Sequence, residues 1–153
     1  MIVEINLSPE AQQCYAEDGG FPRYQTSGSS GFDLRTLDPI LLEFREIRAI
    51  RTGLQFRIPQ GYEIQLRSRS SMAARGLVVA NQPATIDSDY RGEVKVILIN
   101  LGYSRAIIIR GASICQGVLC PVVCAEWEPA VIAEDETKRG ASGFGSTDAQ
   151  TKS

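Results

Sequence analysis

The chain has 153 residues, of which 43% are apolar, and a formal net charge of −2. These values are typical of one globular domain with a real core, and the absence of a basic run gives no indication of nucleic-acid binding. No apolar stretch approaches the roughly 20 residues of a membrane helix, and residues 1–6 lack a signal-peptide pattern, so we expect a soluble cytoplasmic protein without membrane partners.

The pattern of apolar residues predicts a mostly β protein. Short apolar runs recur about every ten residues and are separated by Gly, Pro, Asp and Ser. The predicted strands are 2–7, 47–52, 54–58, 62–66, 94–99, 106–109 and 114–123, with a loop at 19–30. One short helix is predicted at 70–75, with Ser70 as its cap and Gly76 as its left-handed end. Many short strands with little helix predict an all-β barrel or jelly roll.

The carboxyl-terminal residues 139–148 have an unusual composition, with three glycines, three hydroxyl side chains, one arginine and one phenylalanine. They follow an acidic segment that cannot bury enough apolar surface to fold alone. We therefore predict a domain at 1–130 and a flexible carboxyl-terminal arm at 131–153. Glycine, hydroxyl and arginine groups can bind phosphate, and an aromatic ring can stack on a planar base. A flexible, solvent-exposed tail without a binding role explains the composition equally well.

Histidine is absent from the sequence, which limits the possible chemistry. A Ser-His-Asp triad, a Cys-His pair and a His-ligated metal are excluded, so a general base must be a carboxylate, Lys, Tyr or Cys. The cysteines form no Cys-x-x-Cys pair, and a zinc site is not expected. Cys115, Cys120 and Cys124 lie in an apolar run and are predicted to be core thiols.

Five segments of the chain fall in a recognisable order: Gly31-Phe-Asp-Leu34, Arg67-Ser-Arg-Ser-Ser-Met-Ala73, Thr85-Ile-Asp-Ser-Asp-Tyr-Arg-Gly-Glu93, Gly111-Ala-Ser-Ile-Cys-Gln116 and Arg139–Asp148. Their order and spacing resemble the five motifs of the trimeric dUTPases. The resemblance implies a jelly-roll-like β-barrel that assembles as a homotrimer with active sites shared between subunits. It also implies hydrolysis of dUTP to dUMP and pyrophosphate with Mg2+.

The third motif supplies the catalytic base and the sugar contact in this family. The resemblance implies that Asp87 activates the attacking water and that Tyr90 lies under the deoxyribose, where its ring excludes a 2′-hydroxyl. Asn81 is similar to the asparagine that binds the uracil edge, because an amide offers both a donor and an acceptor. The resemblance further implies that backbone groups around Pro83 to Ile86, with Thr85 among them, complete base recognition. For each residue an ordinary turn or strand role is the alternative.

The second, fourth and first motifs are implied to bind the triphosphate. Arg69, Ser70 and Ser71 resemble the phosphate-binding turn, and Gln116 resembles a glutamine that contacts phosphate or its water network. Gln116 within an apolar strand also needs a partner, so a structural hydrogen bond is the rival interpretation. Asp33 is expected to contact hydrated Mg2+ through water or to brace the barrel. No direct protein ligand to the metal is predicted, because phosphates and water supply most of its ligands.

The fifth motif is implied to close over the nucleotide. Arg139 is expected to clamp the terminal phosphate, Phe144 to stack on uracil, and Ser146 and Thr147 to bind phosphates, with Gly145 allowing close backbone approach. Closure of this arm would exclude bulk water.

Several positions depart from the family pattern. Ser68 and Ser71 replace Pro and Gly, Asp148 replaces Gly, and Ala84 stands where Gly is usual. If residue 84 required a positive φ, Ala there would cost roughly 1 kcal/mol.

The second motif also resembles that of dCTP deaminases, but Arg91 occupies the position of their catalytic glutamate. A regulatory nucleotide-binding protein of the same fold is a further alternative.

Overall fold

The computed structural model describes residues 1–133 and 137–142. The regular elements lie in the order β1 (Glu4–Leu7), α1 (Pro9–Cys14), a 3-10 helix (Ala16–Asp18), β2 (Phe32–Arg35), β3 (Ile40–Leu42), β4 (Ile47–Arg51), β5 (Leu54–Arg57), β6 (Tyr62–Arg67), α2 (Ser70–Ala73), β7 (Leu77–Val79), β8 (Ala84–Ile86), β9 (Lys95–Asn100), β10 (Ala106–Ile108) and β11 (Ser113–Pro121).

The strands form four antiparallel sheets. The largest has the order β2-β11-β6-β8, and β4-β9-β7 forms a three-stranded sheet. The pairs β1-β5 and β10-β3 complete the barrel. The mostly β, jelly-roll-like architecture predicted from the sequence is confirmed, and each predicted strand is present with ends shifted by a few residues at most.

Buried apolar residues alternate with more exposed polar residues along the strands, which separates the core from the polar surface. In β6 the side chains of Ile64 and Leu66 are buried, whereas Arg67 is exposed and Gln65 is partly exposed. Successive side chains of a strand point to opposite faces, so one face of the β2-β11-β6-β8 sheet covers the core. Its other face carries polar groups, and this polar face supplies part of the candidate site.

Helix α1 was not predicted. It is six residues long and buries only Ala11, so it shows too little apolar periodicity to be read from sequence. Its local signals are nevertheless present, because Pro9 starts the helix and the Ser8 side chain accepts a hydrogen bond from Ala11 N at 3.3 Å. The chain then places Tyr15 in the core, where it is 1% exposed.

Helix α2 corrects two details of the prediction. Arg69, not Ser70, is the N-cap residue, and its side chain makes no capping hydrogen bond. The helix ends at Ala73, two residues earlier than predicted, and a turn follows to Gly76. Gly76 has a φ of 79°, so its predicted left-handed conformation is confirmed. A Cβ on Gly76 would lie 2.4 Å from Gly102 N, so glycine is also required for close backbone approach.

The cysteines differ in burial. Cys115 is buried, Cys120 is partly buried and Cys124 is exposed, so the prediction of a core thiol is confirmed for Cys115 and wrong for Cys124. The reason is that β11 ends at Pro121, before Cys124 is reached. Burial raises the pKa of the Cys115 thiol, and the nearby Asp33 carboxylate adds to that effect.

The chain divides into two compact units, Met1–Val123 and a second unit that begins at Cys124. The first unit contains all the strands and helices named above. In the second, the described residues 137–142 form a turn. Among the helices within the described ranges, none is long and apolar enough to cross a membrane.

Candidate active site

The polar face of the β2-β11-β6-β8 sheet aligns three residues named by the motifs. Gln116 of β11 lies opposite Asp33 of β2 on one side and opposite Arg67 of β6 on the other. Paired residues of neighbouring strands project from the same face of a sheet. The sheet register therefore brings the first, second and fourth motifs together, although they are far apart in sequence.

Arg69, which follows β6, is held by β11, the neighbour of β6, and by β2, the next strand beyond it. Its Nε lies 3.1 Å from Asp33 Oδ1, and its Nη1 donates to the carbonyl of Ser113 at 3.0 Å. The side chain is 32% exposed and the Asp33 side chain is 22% exposed. Because two of its nitrogens are fixed by the protein, the guanidinium presents its remaining N–H groups in a fixed orientation, which suits a phosphate.

Gln116 is partly buried, and its side chain makes no hydrogen bond to any residue in the described part of the chain. A Cβ on Gly31 would lie 2.7 Å from Gln116 Oε1 and 3.1 Å from the Gly117 carbonyl oxygen. Gly31 therefore provides the space that the Gln116 amide occupies. This geometry favours a ligand or water contact over the rival structural hydrogen bond.

The serines of the second motif have different environments. Ser70 and Ser71 are exposed at the start of α2, and their hydroxyls make no side-chain hydrogen bond within residues 1–133 or 137–142. Ser68, by contrast, accepts a hydrogen bond from Val79 N at 2.8 Å, and its own N–H donates to Gln82 Oε1. Ser68, which departs from the family pattern, thus connects the end of β6 to the chain around β7.

The third motif forms a turn at the end of β8. Tyr90 N donates to the Asp87 carbonyl oxygen at 3.1 Å, which places these residues at the two ends of one turn. The Asp87 side chain is exposed, and Tyr90 is 44% exposed with its hydroxyl donating to the Glu93 carbonyl. Thr85 lies within β8 opposite Gln65 and is exposed. All three are therefore accessible to a ligand.

Asn81 is exposed in the connection between β7 and β8. These two strands belong to different sheets, so Asn81 is not in a hairpin turn. Its amide makes no hydrogen bond within the described ranges, which leaves its donor and acceptor available.

The structure resolves the question about Ala84. This residue lies in β8 opposite Leu66, is buried and does not have a positive φ. Alanine therefore fits the position without strain, and the predicted cost does not arise.

Asp87 and Arg69 lie toward opposite ends of β6 within one chain. Asp87 follows Ile86, which pairs with Ile64, whereas Arg69 follows Arg67. The positions of Ile64 and Arg67 are about 10 Å apart along an extended strand. The Asp87 carboxylate and the Arg69 guanidinium are thus separated along the sheet in a single subunit.

Arg139 lies in the described part of the second unit and is exposed. Its Nε donates to the Ser142 carbonyl at 3.0 Å, and Ser142 N donates to the Arg139 carbonyl at 3.1 Å. The predicted roles of Phe144, Gly145, Ser146 and Thr147 fall outside the described residues.

The donor groups present suit a metal that binds chiefly through phosphate and water. Across the residues that the structure describes, no group of three or more His, Cys, Asp or Glu side chains could hold a metal ion. Asp33, the predicted water-mediated contact, is partly occupied by its ion pair with Arg69. These residues fit a hydrated Mg2+ carried by a triphosphate, which needs few protein ligands.

Two contributors were not predicted from the sequence, the Ser113 carbonyl that holds Arg69 and the space at Gly31. Gly31 opens the first motif, so its position was a signal, whereas the Ser113 contact depends on the path of β11 and has no signal in its side chain.

Comparison with known proteins identifies the class to which this fold and site belong. The dUTPase family model matches residues 17–148. The deoxyuridine 5′-triphosphate nucleotidohydrolase of Bdellovibrio bacteriovorus is 53% identical over 133 residues, which cover 84% of this chain and 88% of that protein. The protein of the same name from Chlamydia pneumoniae is 47% identical over 140 residues, which cover 89% and 97%.

Solved structures show the same fold. The dUTPase of Staphylococcus bacteriophage 80alpha with dUPNHPP matches with a TM-score of 0.82 and 23% identity over 95% of this chain and 97% of that chain. A mutant dUTPase from phage phi11 of S. aureus, described as coordinating a structural Mg(II) ion, matches with a TM-score of 0.74 and 21% identity over 88% and 99%. The chain belongs to the dUTPase family.

Proposed function

We propose that this protein is a dUTP diphosphatase that hydrolyses dUTP to dUMP and pyrophosphate. The observation that carries the proposal is the exposed Asp87 at one end of a turn with Tyr90 at the other, in a chain 53% identical to a deoxyuridine 5′-triphosphate nucleotidohydrolase. In a chain without histidine, a carboxylate is a chemically suitable base.

The reaction is an in-line attack of water on the α-phosphorus. The Asp87 carboxylate accepts a proton from the water while the water oxygen forms its bond to the α-phosphorus. The bond between the α-phosphorus and the oxygen that bridges to the β-phosphate breaks, and pyrophosphate leaves with that electron pair. Arg69 and Arg139 place positive charge beside the phosphates, where negative charge develops. Magnesium, when bound to the triphosphate, supplies further positive charge.

Recognition of the nucleotide is assigned to the remaining predicted residues. Asn81 and backbone groups near Thr85 bind uracil, and the Tyr90 ring excludes a 2′-hydroxyl. A site whose polar groups match one base leaves them unpaired with another, so discrimination can be large. Ser70, Ser71 and Gln116 contact the phosphates, a role supported by side chains that make no hydrogen bonds within the described residues. The arm residues Phe144 to Thr147 stack on uracil and bind phosphate.

The active site is proposed to be shared among the subunits of a homotrimer in the cytoplasm. The separation of Asp87 from Arg69 along β6 supports sharing, because one subunit does not bring its base and its anchored arginine to the same end of the sheet. In the trimer, a neighbouring subunit would supply the groups that one subunit does not bring next to its own Asp87.

Two alternatives are less well supported. A deaminase would need a carboxylate at position 91, but Arg91 is there and its Nη1 donates to the carbonyls of Ser88 and Tyr90. A purely regulatory role is disfavoured by the presence of both Asp87 and Tyr90.

Pyrophosphate release from dUTP, dCTP, dTTP and UTP, with Mg2+ and with chelator, tests the proposal. We expect metal-dependent release from dUTP alone, with dUMP identified by chromatography. Ammonia formation from dCTP would instead indicate deamination, and the absence of any turnover would indicate the regulatory role.

A further inference from the structure

Gly92 lies against the ring of Tyr90. An ideal Cβ on Gly92 would lie 2.4 Å from Tyr90 Oη, 2.7 Å from Cζ and 3.1 Å from Cε2. The first two distances are shorter than real Cβ contacts, so any larger residue at position 92 would displace the ring. Because Tyr90 is 44% exposed, the ring can move into solvent without disturbing the core.

Glu93 holds the other side of this arrangement. Its carbonyl oxygen accepts the Tyr90 hydroxyl at 3.0 Å, which fixes the end of the ring. Its carboxylate accepts the Gly53 N–H at 2.9 Å and lies 3.3 Å from Arg51 Nε. The side chain of Glu93 is 24% exposed, so these contacts are partly shielded from water.

The loop is also tied to β5 on both sides of Glu93. Gln55 Nε2 donates to the Arg91 carbonyl at 3.1 Å, and Val94 N donates to the Leu54 carbonyl at 2.8 Å. The carbonyl that accepts the Tyr90 hydroxyl therefore has a position set by the barrel. The ring is confined by Gly92 sterically and by Glu93 through a hydrogen bond.

We propose that Gly92 and Glu93 are positioning residues that set the sugar specificity of the enzyme by fixing the Tyr90 ring. This inference rests on the proposed function, in which Tyr90 excludes a 2′-hydroxyl. Gly92 leaves the space in which the ring lies, and Glu93 attaches this loop to the barrel. Neither residue needs to contact the substrate.

The test compares kcat/KM for dUTP and UTP in Gly92→Ala with the wild type. The ratio of the two values should fall by about tenfold or more, because a small displacement of a group that contacts the substrate has large effects on discrimination. Gly28→Ala is the matched control, since a Cβ at Gly28 meets nothing within 4 Å and the ratio should not change.

Two further comparisons separate positioning from a general effect on folding. In a Tyr90→Ala background, Gly92→Ala should cause no further change in the ratio, because the ring is gone. Glu93→Ala should lower the ratio, whereas Glu93→Gln should retain it, since an amide oxygen can still accept the Gly53 N–H. A crystal structure of Gly92→Ala should show Tyr90 Oη withdrawn from the Glu93 carbonyl.

An unchanged ratio in Gly92→Ala would overturn the positioning role and leave the proposed function intact. A change of equal size in the Tyr90→Ala background would overturn it as well, because the effect would not act through the ring. If the wild type releases no pyrophosphate from dUTP, the proposed function fails, and the sugar-specificity role fails with it.

Discussion

Two arginines assigned to phosphate are held in different ways. Arg69 is fixed by Asp33 and by the Ser113 carbonyl, which lie 36 and 44 residues away in sequence. Arg139 is held by the carbonyl of Ser142, only three residues away, and is exposed. The first is oriented by the tertiary fold, whereas the contacts of the second are those of a local turn.

This difference indicates where each arginine obtains its orientation. A side chain fixed by long-range contacts meets its ligand with little further loss of conformational freedom, whereas one held by a local turn must be ordered by the ligand. We therefore expect Arg69 to contribute to initial binding of the triphosphate and Arg139 to contribute mainly once the arm has closed.

Asp87→Asn should have the largest effect, because it leaves both arginines in place and removes only the proposed base. We expect kcat to fall by about 10³-fold or more while nucleotide binding persists. Single-turnover assays and equilibrium binding of a non-hydrolysable dUTP analogue measure the two quantities. Asp89→Asn makes the same change of charge two residues away and should retain turnover; normal turnover by Asp87→Asn would contradict the assignment.

Truncation after Lys138 removes Arg139 and the rest of the arm. We expect pyrophosphate release to fall by about 10²-fold or more, because a site that stays open to water loses charge stabilisation. Light scattering should still report the mass of the proposed trimer. A chain that ends at Asp148 retains the fifth motif and should remain active. Full activity without the arm would show that Arg69 alone suffices.

Asp33→Asn tests whether Arg69 depends on its ion pair. The amide can still accept one hydrogen bond, but the charge is lost, so we expect KM for dUTP to rise by roughly three- to tenfold with a smaller change in kcat. Asp38→Asn, at an exposed position, is the control for net charge. If KM does not change, the orientation of Arg69 does not come from Asp33.

Tyr15→Phe tests a hydrogen bond in β2 close to Asp33, the residue that holds Arg69. In this bond the Tyr15 hydroxyl accepts the Arg35 N–H at 2.9 Å. Loss of this partner should lower the free energy of unfolding by about 1–2 kcal/mol in urea titrations at pH 8. Phe56→Tyr, which adds a hydroxyl in the same core, serves as a comparison. An unchanged free energy would show that the hydrogen bond has no net value.

The same substitution has a pH dependence of known sign. Burial raises the pKa of the Tyr15 phenol above its ordinary value of about 10, so the folded protein keeps it neutral after the unfolded chain ionises. The wild type therefore loses stability as pH rises above 10. The Phe variant lacks this loss, so the difference between the two free energies of unfolding should shrink above pH 10. A difference that stays constant with pH would contradict the raised pKa of Tyr15.

Ala84→Gly should have the smallest effect. Because Ala84 lies within β8 with ordinary strand geometry, glycine should destabilise the protein by about 0.5–1 kcal/mol and leave kcat/KM for dUTP unchanged. Thermal unfolding and steady-state assays measure both. An increase in stability would show that this backbone position favours glycine after all.

The β architecture could be predicted from the sequence because the positions of apolar residues along each short run show directly which side chains are buried. The motifs predicted the candidate residues, yet they did not predict which of them meet. The contact of Arg69 with Asp33 depends on the pairing of β2, β11 and β6, and strand pairing is not written in any one segment. Helix α1 was missed because one buried residue, Ala11, gives no periodic signal.

The crowding around Gln116 has a consequence for how this family can vary. On one side Gly31 makes room for its amide, and next to it a Cβ on Gly117 would lie 2.6 Å from the Phe32 ring. In a saturation scan selected for function, positions 31 and 117 should therefore tolerate as few amino acids as position 116 itself. A search for functional residues that relied on intolerance alone would count both glycines as ligands, although each supplies only empty space.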